Sequence, residues 1–168
     1  MTGAHNSHRT LLVAAVRAAL PWTLWLLGLN IVWEVAQLPL YALGRYAQWP
    51  AWGYAVLHCT LGDVAMAFVL YLIAALVTTE PRWPLRRPLK GLAIVLLGGE
   101  SFTIWAEWYN VYVLHNWAYA AGMPTIRGIG AAPLLQWLVL PISAVAILRY
   151  RYRRRMASEA PGEARSTS

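Results

Sequence analysis

Charge is scarce in this 168-residue chain, and it is lopsided: charged residues make up 12% of the sequence, seven Asp and Glu against fourteen Lys and Arg. Soluble domains carry about a quarter. With 59% hydrophobic residues beside it, the shortage excludes an ordinary water-soluble surface and points to a membrane. Cysteine is down to Cys59, which excludes an internal disulfide and a multi-cysteine metal cluster; the residue reads as a small apolar filler in a helix. No internal repeat is present, nor an H-E-x-x-H or E-x-x-H motif. The length suits one domain.

What is abundant is apolar sequence in long runs. Four of them, at about 21–43, 54–78, 91–114 and 131–148, are long enough to cross a ~30 Å hydrocarbon core as helices. The fold class is therefore all-α, a polytopic membrane four-helix bundle. Residues 1–20 read as a cytoplasmic, amphipathic and uncleaved lead-in, 21–148 as the transmembrane domain, and 149–168 as a basic, disordered cytoplasmic tail. Pro21 suits a first helical turn, and Pro39 and Pro141 should bend the first and last spans. Residues 79–90, with three prolines and four basic residues, read as a stiff non-helical loop; residues 115–130 read as an ordered loop or re-entrant cap.

The net charge of +7 does not indicate nucleic acid, because the basic residues flank the apolar runs and fill the tail, where they meet anionic lipid headgroups. Arg9 and Arg17, then Arg82, Arg86, Arg87 and Lys90, then the arginines at 149–155 mark one side, while the other two loops carry Arg45 and Arg127. By the positive-inside rule both termini are cytoplasmic. The expected location is a plasma membrane, multi-pass.

Inside the spans lie Glu34, Asp63, Glu100 and Glu107, four of the seven acids, with no Lys or Arg among them. An ionised acid at bilayer depth costs roughly 2.5–3.5 kcal/mol, so something must neutralise them: protons, histidines, Arg45 or Arg127 folding in, a metal, or a cationic ligand. Counted along each helix, Glu34, His58, Asp63, Glu107 and Gln136 fall in the extracytoplasmic half, His115 lies just past the third span, and Glu100 sits nearer the midplane. Asn30, Glu34, Gln37 and Tyr41 share one stripe of the first helix, and Glu100, Thr103, Glu107 and Asn110 one side of the third. The expectation is a shared polar pocket opening outward.

Several chemistries stay open. Glu107, His58 and Asp63 are the candidate catalytic residues, a donor and acceptor set for acid–base work. Glu34, Gln37, Asn110, Trp117 and Gln136 are candidates for substrate binding. Glu34, His58, Asp63, Glu107 and His115 form a mixed oxygen and imidazole set that suits a divalent metal such as Zn, Fe or Mn. The bland alternative is a non-catalytic membrane subunit whose polar network only fixes helix packing. The expected partners are membrane lipid and a lipid-like small molecule.

The segments NIVWEVAQLPLY, HCTLGDVAMA, AEWYNVYVLHNWAYAAGMP and PLLQWLVLP resemble an uncharacterised family of small four-helix bacterial integral membrane proteins, a likeness that spans most of residues 29–141 and brings no activity with it. In architecture alone the chain is similar to the emopamil-binding or sigma-2 receptor type of membrane protein, some of which are sterol isomerases, although that group's spacing motifs are absent. On that likeness Glu107, Asp63 with His58, and Gln136 with Trp137 would occupy analogous positions. Trp117-x-Tyr119 with Met123-Pro124 also resembles, over a short stretch, membrane carotenoid cyclases and hydratases.

Overall fold

The computed structural model describes residues 2–42 and 49–159, with side chains from residue 9 in the first stretch and from residue 50 in the second. Four long helices form the bundle: α1 (Thr2–Gln37), α2 (Trp49–Thr78), α4 (Pro88–Trp108) and α5 (Ala131–Glu159). A short helix, α3 (Trp83–Arg86), joins α2 to α4. Each long helix packs on the next, and α5 closes the ring against α1. All four carry a stretch long and apolar enough to cross a membrane.

Which residues turn inward follows from helical spacing. On α1 the buried positions are Ala15, Ala19, Trp22, Leu26, Asn30, Glu34 and Gln37, at intervals of three or four residues, so they form one stripe. On α4 they are Gly91, Val95, Gly99, Thr103 and Glu107, every fourth residue. The outward faces are as apolar as the core, with Leu20, Leu24, Val32, Val35, Leu57, Val77 and Leu97 all exposed. A water-soluble bundle would make those faces polar; a bilayer requires the reverse. The chain is a multi-pass membrane protein.

The core at one end is aromatic. Trp22, Tyr71 and Trp83 pack as a triangle with ring centroids 5.3–5.8 Å apart, and the Tyr71 hydroxyl donates to the Pro81 carbonyl at 2.9 Å. Trp83 fits there because Gly91 faces it without a side chain. Ala67, Ala74 and Ala75 are buried and allow close approach. The basic residues gather at this same end: Arg9, Arg17 and Arg82 line one concavity, and Arg149 donates to the carbonyls of Pro84 and Leu85.

Several boundaries differ from those the sequence suggests. Pro21 sits in the middle of α1, not at its first turn, because the lead-in and the first span are one continuous helix. An exposed Pro costs one backbone bond, and the flanking stripe of Ala19, Trp22 and Leu26 still packs. Residues 79–90 are not wholly non-helical, since Pro84 is accommodated in the opening turn of α3, where no N–H is needed. The basic tail is helical as far as Glu159: Arg151 lies over the Trp25 ring, 5.7 Å from its centroid, and Arg155 pairs with Glu159 at 2.9 Å, so contacts hold the helix beyond the core. Residues 160–168 lie outside the described residues.

At the opposite end Pro39 has the expected effect. Helix α1 tightens into a 3-10 turn, Leu38–Leu40, and Tyr41 is extended. The end of α4 widens into a π-helical turn, Tyr109–Val113, a feature frequent at functional sites. The segment that follows crosses back over the bundle: Ala42 N–H donates to Ala118 at 2.8 Å, and Ala120 N–H to Leu40 at 2.9 Å. Next comes a tight hairpin, β1 (Thr125–Ile126) with β2 (Ile129–Gly130), turned by Arg127 and Gly128 at positive φ.

Candidate functional site

Beneath this crossing segment is a cavity of about 250 Å³ between the four long helices. Its walls include Glu34 and Gln37 from α1, His58, Cys59 and Asp63 from α2, Thr103, Glu107 and Asn110 from α4 and its π turn, Trp117 from the crossing segment, and Gln136 from α5. Three carboxylates line it, and no Lys or Arg does among the described residues. Arg127 is exposed on the hairpin and does not fold in. Arg45, the other outer-loop arginine, lies outside the described residues, as do Tyr46 and the Trp49 side chain.

Glu107 is 6% exposed, and hydroxyls serve both of its oxygens. Tyr41 Oη donates to Oε1 at 3.1 Å, and Tyr119 Oη to Oε2 at 2.6 Å. The direction of the second bond is fixed by a third group, because Gly130 N–H donates to Tyr119 Oη at 2.9 Å. A backbone N–H can only donate, so the phenol proton points at the carboxylate. Burial, and then the nearby Glu107 carboxylate, push both phenols above the ordinary tyrosine pKa, so they stay protonated as donors. Trp117 packs edge-on to Tyr41. Its buried Nε1 faces Glu107 without reaching hydrogen-bond geometry and has no other partner among the described residues.

Glu34 and Asp63 meet at one amide. Gln136 Nε2 lies 2.9 Å from Glu34 Oε1, 2.7 Å from Asp63 Oδ2 and 2.8 Å from Asn30 Oδ1. Gln37 Nε2 donates to Gln136 Oε1 at 3.2 Å, and Trp33 Nε1 donates to Gln37 Oε1 at 3.1 Å. Gln136 is positioned by its neighbour: Trp137 lies flat against Gly99, at a point where a Cβ on α4 would collide with the indole. Small residues on α4 thus let α5 approach closely enough for its amide to reach across to α1 and α2.

Not every candidate residue is here. His58 lines the cavity but is exposed, and its ring stacks on Tyr54 with centroids 5.5 Å apart. Glu100 is half-buried away from the cavity. His115 lies outside it, exposed at positive φ where the π turn ends, with Nδ1 3.0 Å from the Val111 carbonyl. The metal set Glu34, His58, Asp63, Glu107 and His115 is therefore not assembled, and no three His, Cys, Asp or Glu among the described residues are placed to hold an ion. Asn110 lines the cavity, with its amide occupied by Ala106 O at 2.8 Å and its carbonyl by Asn116 at 2.7 Å.

Two residues escaped the sequence reading of the site. Tyr41 belonged to the polar stripe of α1 without a role, and Tyr119 stood only in a short pattern beyond the third span. Both act on Glu107 through backbone pairing between residues 40–42 and 118–120, contacts no periodicity encodes. No protein family matches this chain, and neither does a curated protein or a solved structure.

Proposed function

We propose that this chain is a multi-pass protein of a bacterial inner membrane whose cavity binds an apolar or amphipathic small molecule and performs acid–base chemistry on it. The observation that carries the reading is three carboxylates around one cavity without a cation among the described residues, two of them sharing an amide and the third held by two phenols. Such a pairing of acidic groups in unlike surroundings is how one site holds a proton donor beside a proton acceptor. Glu107, with hydroxyl protons directed at both oxygens, is the carboxylate that takes a proton. The Glu34–Asp63 pair is the donor: an amide nitrogen has two hydrogens and Gln136 faces three acceptors, so a proton shared by the two acids completes the count. His58 lines the cavity from its exposed side, and Gln37, Asn110 and Trp117 contact the bound molecule.

With the basic end in the cytoplasm, as the positive-inside rule requires, both termini are cytoplasmic and the cavity lies in the extracytoplasmic half. The kinship with small bacterial integral membrane proteins belongs to the same proposal. The test is Glu107→Gln, purified in detergent and compared with wild type for the lipids it retains and for its melting temperature. Loss of a retained lipid, with melting lowered no further than by Tyr119→Phe, supports a binding site. Unchanged lipid content with a lowered melting temperature makes the polar network a packing device, as in a non-catalytic subunit.

A further inference from the structure

A second concavity adjoins the cavity. It is a groove of about 690 Å³ on the membrane-facing side of α1 and α2, lined by Leu27, Ile31 and Val35 from α1 and Val56, Leu57 and Thr60 from α2. Leu38 and Tyr41 line both the groove and the cavity, so the two are neighbours across one turn of chain. Their chemistries are opposite: the cavity wall carries Glu34, Asp63 and Glu107, whereas the groove wall carries no charged side chain among the described residues. One residue of the groove wall is unusual, since Thr60 is 1% exposed and its hydroxyl has no hydrogen-bond partner among the described residues. A helical threonine commonly returns its hydroxyl to its own backbone.

Resting on the reading of the cavity as a binding site, we infer that the ligand is a long-chain amphiphile with a hydrogen-donating, non-anionic head, an amine or an alcohol, and a tail lying in the α1–α2 groove. Charge complementarity selects the head. A phosphate or carboxylate head would meet three acids and, among the described residues, no cation, whereas an amine or hydroxyl brings a further hydrogen to carboxylate oxygens that can each accept more than one. The tail follows from adjacency: a head beside Glu107 and Tyr41 leaves its chain at Leu38, where the apolar groove begins.

The test uses three photoreactive probes with one alkyl chain and different heads: a primary amine, an alcohol and a phosphate. Each is applied to the full chain in detergent micelles. The amine and alcohol probes should label α2 around Leu57, and the phosphate probe about ten-fold less or weaker still. Leu57→Trp, which fills the groove, should lower labelling by the amine probe about ten-fold while leaving untouched the binding of butylamine, whose chain is too short to fill the groove. Glu107→Gln should weaken butylamine and the long amine alike. Equal labelling by the phosphate probe overturns the head assignment. Labelling spread evenly over the exposed faces, or unaffected by Leu57→Trp, overturns the tail assignment while the cavity reading stands if butylamine still binds through Glu107. Failure of every amine and alcohol to bind overturns both.

Discussion

Tyr119 Oη sits between a donor and an acceptor, taking the Gly130 N–H at 2.9 Å and giving its own proton to Glu107 Oε2 at 2.6 Å. A residue of the crossing segment thereby fixes the hydrogen-bonding state of an acid on α4 and ties both to the start of α5. Tyr119→Phe removes the hydroxyl and leaves two groups short. Hydrogen bonds to charged groups are worth about 1.5–3 kcal/mol, so the variant should lose stability on that scale in a detergent melt. Tyr41→Phe, which removes the longer 3.1 Å bond and strands no backbone N–H, should cost less. A Tyr41 variant weaker than the Tyr119 variant would contradict this ordering.

Gln136 is the amide on which Glu34, Asp63 and Asn30 converge. Gln136→Leu keeps the volume but strands those acceptors, at about 1–3 kcal/mol for each buried group left unpaired. The expected result is a large drop in melting temperature, partly recovered when Asp63→Asn is added, because the second change removes a stranded carboxylate. Additive losses in the double variant would show that the two side chains do not act together.

The phenols give a pH dependence whose sign can be worked out. Tyr41 and Tyr119 hold their protons more tightly folded than unfolded. Above the ordinary tyrosine pKa of about 10 the unfolded chain releases protons that the folded chain keeps. Their stabilisation is full below that pH and is lost as pH rises above it. A melting series from pH 8 to 11 should fall above pH 10 in wild type, and the fall should be shallower in Tyr41→Phe/Tyr119→Phe. Identical slopes would sink this account.

Glycines separate close approach from open space. Gly99 faces the Trp137 indole with no room for a Cβ, whereas Gly28, on α1, meets nothing within 4 Å. Gly99→Ala must push α4 from α5 and should cost about 1–3 kcal/mol, the usual scale for overpacking. Gly28→Ala should be neutral or stabilising by up to about 1 kcal/mol, because alanine is the better helix former. The comparison is one pair of melting curves, and a Gly99→Ala protein as stable as wild type would remove Gly99 from the account of how Gln136 is positioned.

Much of this architecture is legible in the residues. Four apolar runs without Lys or Arg specify membrane-crossing helices because a bilayer tolerates little else, and spacing alone puts Glu34 with Asn30 and Gln37, and Glu107 with Thr103, on inward stripes. What was not legible is where a helix stops when its flanking sequence can also be helical. The basic tail and the lead-in both continue their helices because tertiary contacts, or the absence of any break, let them, and composition marks neither.

The sequence by itself determined the class of protein, the number of spans and which side chains must hide from lipid, since those follow from local hydrophobicity and from a period of 3.6 residues. Only the tertiary structure decided which hidden groups meet. That Gln136 answers Glu34 and Asp63, that Tyr119 returns from beyond α4 to Glu107, and that His115 stays outside depend on helix approach at Gly99 and on a backbone pairing between residues 40–42 and 118–120. Contacts of that range are set by packing between distant segments, which no local pattern of residues carries.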